Sequence, residues 1–184
     1  VPGTLTVNPK AVTITTGAAS KPYDGTALTE GTATIGGLAD GESVKLTATG
    51  SQTEVGSSNN TYSITWDNAD ANNYTVTENL GKLTVTENAV AVTLTAPSAS
   101  KTYDGTALTK TDGVTATGLP AGFTVEATAS GSQTDAGSSA NVVDDGYVIK
   151  DAEGNDKTAN FTNVTYVPGT LTVNPKAVTI TTGA

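Results

Sequence analysis

The chain has 184 residues, 36% of them hydrophobic, a formal net charge of −9, and no Cys, Met or His. All nine basic residues are Lys. This composition excludes disulfides, thiolate metal sites and thiol nucleophiles, and it argues against a nucleic-acid partner, because phosphate binding needs a basic patch.

Val12 and Ile14 alternate with Thr13 and Thr15, the pattern of a strand with one apolar face. Lys21–Thr29 follows, with Pro22 fixing one φ and Asp24-Gly25 signalling a turn. Thr32–Ile35 reads as a short strand closed by Gly36-Gly37, and Asp40-Gly41 as another turn. Val44, Leu46 and Ala48 alternate in the next strand, before a polar bend at 50–56. Tyr62, Ile64 and Trp66 give the strongest alternation in the chain. Asp67–Asn73 is expected to be a loop with one helical turn. Tyr74–Thr77 and Leu83–Thr86 are expected to form a hairpin around Asn79-Leu80-Gly81.

The Lys21–Thr29 stretch returns at Lys101–Thr109, with eight of nine positions identical. Two copies of one segment so far apart predict two copies of one small domain. Val92 and Leu94 open the second copy, and Phe123, Val125 and Ala127 continue the pattern of its third strand. Gly131–Thr134 copies Gly50–Thr53, and Asn160–Thr162 matches Asn73–Thr75 with a further six residues of offset. An insertion therefore lies between 135 and 160, with Lys150–Lys157 expected as a polar hairpin tip. Val164–Val167 and Leu171–Val173 are expected to close the copy with another hairpin.

Residues 1–18 recur identically at 167–184. The expected division is 1–9, the last strand of a preceding repeat; 10–87 and 88–175, two complete domains; and 176–184, the first strand of a following repeat. Thr4–Val7 and Ala177–Thr181 are thus expected to be strands that dock on a neighbouring domain or pair between molecules. Val1-Pro2-Gly3 reads as the middle of a hairpin, so the chain is expected to be a fragment of a longer protein. The junctions Asn8-Pro9-Lys10 and Thr86–Val90 are short and lack Gly/Ser linkers, which predicts a stiff head-to-tail rod, with Val90 tucked against the foot of the first domain.

Four elements now stand in order: Lys-x-Tyr-Asp-Gly-Thr, the Gly-Ser-Gln-Thr-x-Val-Gly bend at 50–56, Asp70–Thr75, and Gly81–Val85. Together they resemble the YDG/MBG-type tandem repeats of large bacterial surface proteins. The second copy departs at Ala136 for Val55, Phe161 for Tyr74, and the longer 135–160 region. The resemblance implies extracellular, cell-envelope-attached stalks, often of adhesins, and it implies no catalytic residues.

Each chemical motif has a plainer reading beside it. Tyr23-Asp24-Gly25 and Tyr103-Asp104-Gly105 are read as a Tyr over a sheet edge followed by a turn, with a ligand or calcium site as the alternative. Asp151, Glu153, Asn155 and Asp156 offer hard oxygen ligands, but Gly154 falls at the fourth position of the run, where an EF-hand loop needs it at the sixth. A solvated hairpin tip is favoured over calcium. Trp66, in phase with Tyr62 and Ile64, is read as core or core-edge packing rather than a sugar platform, and the alignment of Tyr147 with Tyr62 places Asp151 at its position, which argues against a sugar site common to the repeats. Lys21 and Lys101 are the only Lys in register for an isopeptide crosslink, and they sit beside a turn. Carboxylates are scattered in turns, and no Gly-x-Ser-x-Gly elbow is present.

The expectation is therefore an all-β chain of two small immunoglobulin-like sandwiches end to end, with β-grasp domains, carrying a helix after Asp40 or Asp67, as the alternative. The core is expected to hold Val12, Ile14, Tyr23, Leu28, Val44, Leu46, Ile64, Tyr74, Leu83 and Val85, with their partners in the second copy. No catalytic, metal or cofactor residue is assigned, and no enzyme activity is expected. The expected role is a monomeric stalk or spacer on a bacterial cell surface, without membrane insertion, projecting an adhesive head. A binding module for a host glycan or protein is the rival.

Overall fold

The structure, a computed structural model, describes residues 2–183. It divides into two compact units, Val1–Glu87 and Asn88–Ala184. Both are all-β. Among the described residues the only helical elements are two three-residue 3-10 turns, Ala71–Asn73 and Thr158–Asn160. The helix that a β-grasp domain would carry after Asp40 or Asp67 is not there.

The first unit has eight strands: β1 (Lys10–Thr16), β2 (Ala19–Pro22), β3 (Ala33–Gly36), β4 (Val44–Ala48), β5 (Gly56–Asn59), β6 (Tyr62–Trp66), β7 (Tyr74–Asn79) and β8 (Lys82–Thr86). They form sheets ordered β3-β1-β7, β2-β8-β5 and β4-β6. β1 runs parallel to β7, from Lys10↔Tyr74 to Thr15↔Asn79. β2 runs parallel to β8, from Ala19↔Leu83 to Pro22↔Thr86. The ribbons 10–22 and 74–86 therefore run side by side and change sheet together.

This arrangement corrects the expected hairpin at Asn79-Leu80-Gly81. β7 and β8 follow one another in sequence but belong to different sheets, and each pairs with a strand from the start of the unit. The cause is local. A Cβ on Gly81 would run into the carbonyl of Gly17, so only Gly lets the two ribbons cross in contact. Gly81 N then donates to the carbonyl and the hydroxyl of Thr16, each at 3.1 Å. With its donor turned onto Thr16, the corner steps to a new sheet instead of folding back on β7.

The second unit repeats the plan with β9 (Val92–Thr95), β10 (Ala99–Thr102), β11 (Thr115–Thr117), β12 (Thr124–Glu126), β13 (Ala129–Ser130), β14 (Gly137–Val143), β15 (Val148–Lys150), β16 (Val164–Val167) and β17 (Gly169–Asn174). Its sheets are β11-β9-β16, β10-β17-β14-β13 and β12-β15. The hairpin expected from Val164–Val167 and Leu171–Val173 is corrected in the same way: β16 pairs with β9, and β17 with β10 and β14.

The positive-φ glycines Gly37 and Gly41 correspond to Gly118 and Gly122, so Val44 matches Val125 and Glu42 matches Phe123. This shifts the expected third-strand alignment by two residues. Val44 pairs with Trp66 and Val125 pairs with Ile149. Ile149, not Asp151, therefore stands at the Trp66 position. The extra residues fall in two places: a break in the hairpin at Asp144–Tyr147, where Asp144 N donates to Thr128 O at 2.9 Å, and the tip after Lys150, closed by a Lys150↔Asp156 bridge.

The buried residues come mainly from the central strands. Val12, Ile14, Leu83 and Val85 in the first unit, and Val92, Leu94, Leu171 and Val173 in the second, are essentially inaccessible. Tyr23 and Tyr74 are also buried, whereas Leu28, Val44, Leu46 and Ile64 are only half-buried. The last three lie on the two-stranded β4–β6 ladder, which has fewer neighbours to cover its apolar face.

Thr4–Val7 and Ala177–Thr181 are irregular rather than strands. Leu5 and Val7 are 100% and 96% exposed, and Val178 and Ile180 82% and 87%. The same residues in their other copies, Leu171 and Val173 in β17 and Val12 and Ile14 in β1, are buried. A strand needs a partner for its amides and carbonyls, and sequence alone does not supply one.

Asn60, inaccessible to solvent, joins the crossing to the rest of the first unit. Its Nδ2 donates to Gly17 O at 2.9 Å and Glu30 O at 2.8 Å, and its Oδ1 accepts from Gly50 N at 3.1 Å. Asn141 repeats the two donor bonds, to Pro97 O and Lys110 O, both 2.8 Å, while its Oδ1 is buried without a hydrogen-bond partner. Asn60→Ala strips partners from three backbone groups and should destabilise the first unit by about 2–4 kcal/mol. Asn141→Ala, losing two bonds, should cost less. Asn60→Asp should be worse than Asn60→Ala at neutral pH, because a carboxylate would face two carbonyl oxygens. Folding then favours the protonated acid, so its folded pKa is raised and its penalty should grow as pH rises through about 4. Urea denaturation of the three variants at pH 4 and pH 7 checks the order and the sign.

Candidate functional site

The repeated Lys-x-Tyr-Asp-Gly-Thr motif forms one closed turn in each unit. Lys21 stands in β2, and its Nζ donates to Asp24 Oδ1 at 2.7 Å and Thr26 Oγ1 at 2.6 Å. Asp24 Oδ1 also accepts from Thr26 N at 2.9 Å and Thr26 Oγ1 at 2.7 Å. Gly25 between them has φ 80°, a left-handed conformation that a β-branched residue would resist. Lys101, Asp104, Gly105 and Thr106 repeat the arrangement, with the Lys–Asp contact at 2.8 Å and Gly105 at φ 85°. The carboxylate oxygen is thus committed to the turn, and Lys21 to its own Asp three residues on rather than to a crosslink.

The motif is tied to the second recognised element through its Leu. Leu28 N donates to Gln52 O at 2.8 Å and Gln52 N to Leu28 O at 3.0 Å; Leu108 and Gln133 do the same at 2.8 and 3.1 Å. Tyr23 N donates to Thr86 O, and Tyr103 N to Asn174 O, both at 2.8 Å, which extends the parallel ladder by one bond. The third element, Asp70–Thr75, is a capped turn: Asp70 Oδ1 accepts from Asn72 N at 2.9 Å. The fourth, Gly81–Val85, is the crossing and β8.

The aromatic cluster differs between units. Trp66 stacks on Tyr74 with centroids 5.5 Å apart and planes 18° apart. The Tyr74 hydroxyl donates to Glu42 Oε2 and accepts from Ala39 N at 3.0 Å. The hydrogen bond to Glu42 raises the Tyr74 pKa. In the second unit Phe161 takes the Tyr position and Phe123 the Glu position, and the two rings meet edge to face at 5.5 Å. Trp66 is therefore a packing residue on the outer hairpin, and the second unit offers no equivalent platform.

The acidic tip after Lys150 is also closed on itself. Asp151 Oδ1 accepts from Glu153 N at 3.1 Å and Asn155 N at 2.8 Å, and Asp156 Oδ1 accepts from Thr158 N and Oγ1. Among the described residues no three His, Cys, Asp or Glu side chains gather as a metal site. One feature escaped the sequence reading. Tyr103, 40% exposed where Tyr23 is buried, lines an open groove of about 510 Å³ with Asp135, Ala136, Pro175, Lys176 and Val178. Small Ala136 in place of Val55 was its only signal in the sequence.

Partial burial pushes the Asp24 pKa up, but the bond from Lys21 and the amide and hydroxyl of Thr26 outweigh it and hold it at about 2. Asp104 is held low by Lys101 first, then by the amide and hydroxyl of Thr106. A depressed folded pKa gives stability that is complete above the unfolded value, about 3.9, and is lost as pH falls through the folded one. The motif should therefore add acid sensitivity between about pH 4 and pH 2. Asp24→Asn with Asp104→Asn should flatten thermal stability across that window, as seen by circular-dichroism melts from pH 2 to pH 7.

No helix among the described residues is long and apolar enough to cross a membrane. No curated protein matches the chain. Residues 8–81, from just before β1 to the Gly81 crossing, match the family described as the YDG domain, and over that span the first unit is similar to that family.

Proposed function

We propose that the chain is a structural spacer, a stalk segment of a bacterial cell-surface protein that holds an adhesive or binding head away from the cell wall. In this reading each unit is a small sandwich of immunoglobulin-like kind, and the units follow one another end to end. The observation that carries it is the recurrence of one strand plan in two successive units, β3-β1-β7 with β2-β8-β5 and then β11-β9-β16 with β10-β17-β14. Repetition of one domain sets reach by number rather than by new chemistry. The acidic chain and its exposed Thr faces favour hydration, and the motifs that could have held chemistry are closed by their own hydrogen bonds. We assign no catalytic residue, cofactor or metal, and the partners expected are neighbouring repeats of the same chain.

The groove beside Tyr103 favours a second reading, a module that binds a host glycan or protein, since an exposed Tyr ring can stack on a sugar. A glycan array with a specific micromolar partner lost in Tyr103→Ala would move the assignment to that reading. For the spacer, small-angle scattering on the 184-residue chain is the test. A maximum dimension well beyond that of a globular 18.3 kDa particle is expected. A globular value would sink the rod.

A further inference from the structure

The path of the chain through each unit points to a function beyond spacing. The chain enters the first unit on β1 and leaves it on β8. Neither is an edge strand: β1 lies between β3 and β7, and β8 between β2 and β5. The entering ribbon 10–22 is paired in parallel with the leaving ribbon 74–86, through six register pairs in one sheet and four in the other. The second unit has the same layout, with β9 parallel to β16, β10 parallel to β17, and β9 and β17 internal to their sheets.

From this geometry we infer that each unit is a tension-bearing clamp. It rests on the spacer reading, in that a stalk is what would carry load between a head and a wall. Tension pulls Lys10 backward out of the start of the ladder and Thr86 forward out of its end. Because the ribbons are parallel, these opposed pulls slide one along the other. Every register pair is loaded at once, and none is at a free edge where it could be peeled. The same hydrogen bonds pulled across a hairpin would open one after another. Work is force times distance, so bonds that must all yield within a few ångströms resist with a larger force than bonds that yield in sequence.

The repeated motif sits where such a clamp needs a stop. Lys21 pairs with Val85 near the far end of the ladder, and its ammonium is fastened to Asp24 and Thr26. The turn that follows β2 is thereby held shut, and the bond from Tyr23 N to Thr86 O continues the ladder into it. Lys101, Asp104 and Tyr103 repeat this beside β17. The crossing at Gly17 and Gly81 keeps the ribbons together where they change sheet.

Single-molecule force spectroscopy on the full chain tests the clamp. The chain has no Cys, so introduced thiols are unique handles. One version is held by its two ends. The other carries Lys45→Cys and Thr65→Cys, register partners on the exposed face of the β4–β6 hairpin, and is pulled across that ladder. At one loading rate, unfolding through the ends should need a force roughly threefold or more above hairpin opening, since forced unfolding reports the unfolding barrier along the pulled direction. Equal or lower force through the ends overturns the clamp. The spacer reading would survive that result, because a spacer can be rigid without being strong. A globular scattering envelope would sink the spacer and leave the force ratio standing.

Discussion

The constraint on which each unit depends is the carboxamide of Asn60, or Asn141, at the place where two ribbons change sheet together. A crossing of two backbones is poor in partners, because neither ladder continues through it. Asn60 supplies them, donating to Gly17 and Glu30 and accepting from Gly50. Its own amide donates to Gly81 O at 2.7 Å, and its carbonyl accepts from Thr16 Oγ1 at 2.7 Å. In the first unit a buried amide with every group satisfied fixes one arrangement, since any slip would leave several polar atoms unpaired; Asn141 keeps the two donor bonds alone. Gly81, or Gly169, is the other half of the constraint: a Cβ there would meet the carbonyl of Gly17 or Pro97, and the chains could not approach closely enough for one side chain to reach both.

Strands were legible in the sequence wherever alternation was clean. Val12/Ile14, Val44/Leu46/Ala48 and Tyr62/Ile64/Trp66 all fall in strands. Partner choice was not legible. Two adjacent strands with a Gly between them resemble a hairpin, and the contact that prevents one, Gly81 on Gly17, lies 64 positions away in the chain. β2 was hidden because Pro22 and the Asp-Gly turn mask a four-residue strand, and β5, GSSN, has no apolar face to read. Asn60 and Asn141 carried no signal in the sequence, since a polar residue gives none until its burial is known. The duplicated 18-residue segment marks the limit most directly. One sequence is a buried strand in one place and exposed, irregular chain in the other, so pairing, not propensity, decides.

The candidate site was legible in a different sense. Reading Asp24-Gly25 and Asp104-Gly105 as turns was right in kind, but the closure by Lys21 and Lys101 was visible only once β2 and β10 placed the ammonium over the turn. The alignment at Trp66 was two residues out because the insertion is divided between Asp144–Tyr147 and the tip after Lys150, and a single offset cannot show two small steps. Phe161 in place of Tyr74 was legible, but its companion change, Phe123 for Glu42, was missed because the third-strand alignment was itself two residues out. It is physically coherent: a phenol hydroxyl half-buried beside a carboxylate has a partner, and a phenyl ring beside a second phenyl ring needs none.

Where the two units differ is therefore informative about what each part does. Differences gather on the hairpin side: the broken β12–β15 and β13–β14 ladders, the added tip, the exchanged aromatic cluster. The parallel ladders, the buried Asn and the Lys–Asp–Thr turn keep their geometry in both. A ligand site shared by the repeats would require the opposite, a common surface on a variable frame. Here the frame is common and the surface varies. Even within the frame, Thr16 becomes Ala96 and Gly17 becomes Pro97, yet the crossing stands, because Asn141 still donates to Pro97 O and a Cβ on Gly169 would still meet that carbonyl. Only the backbone carbonyl is needed at that point, and any residue provides one. The crossing can thus tolerate side-chain change on the entering ribbon while Asn and the Gly of the leaving ribbon remain fixed by geometry.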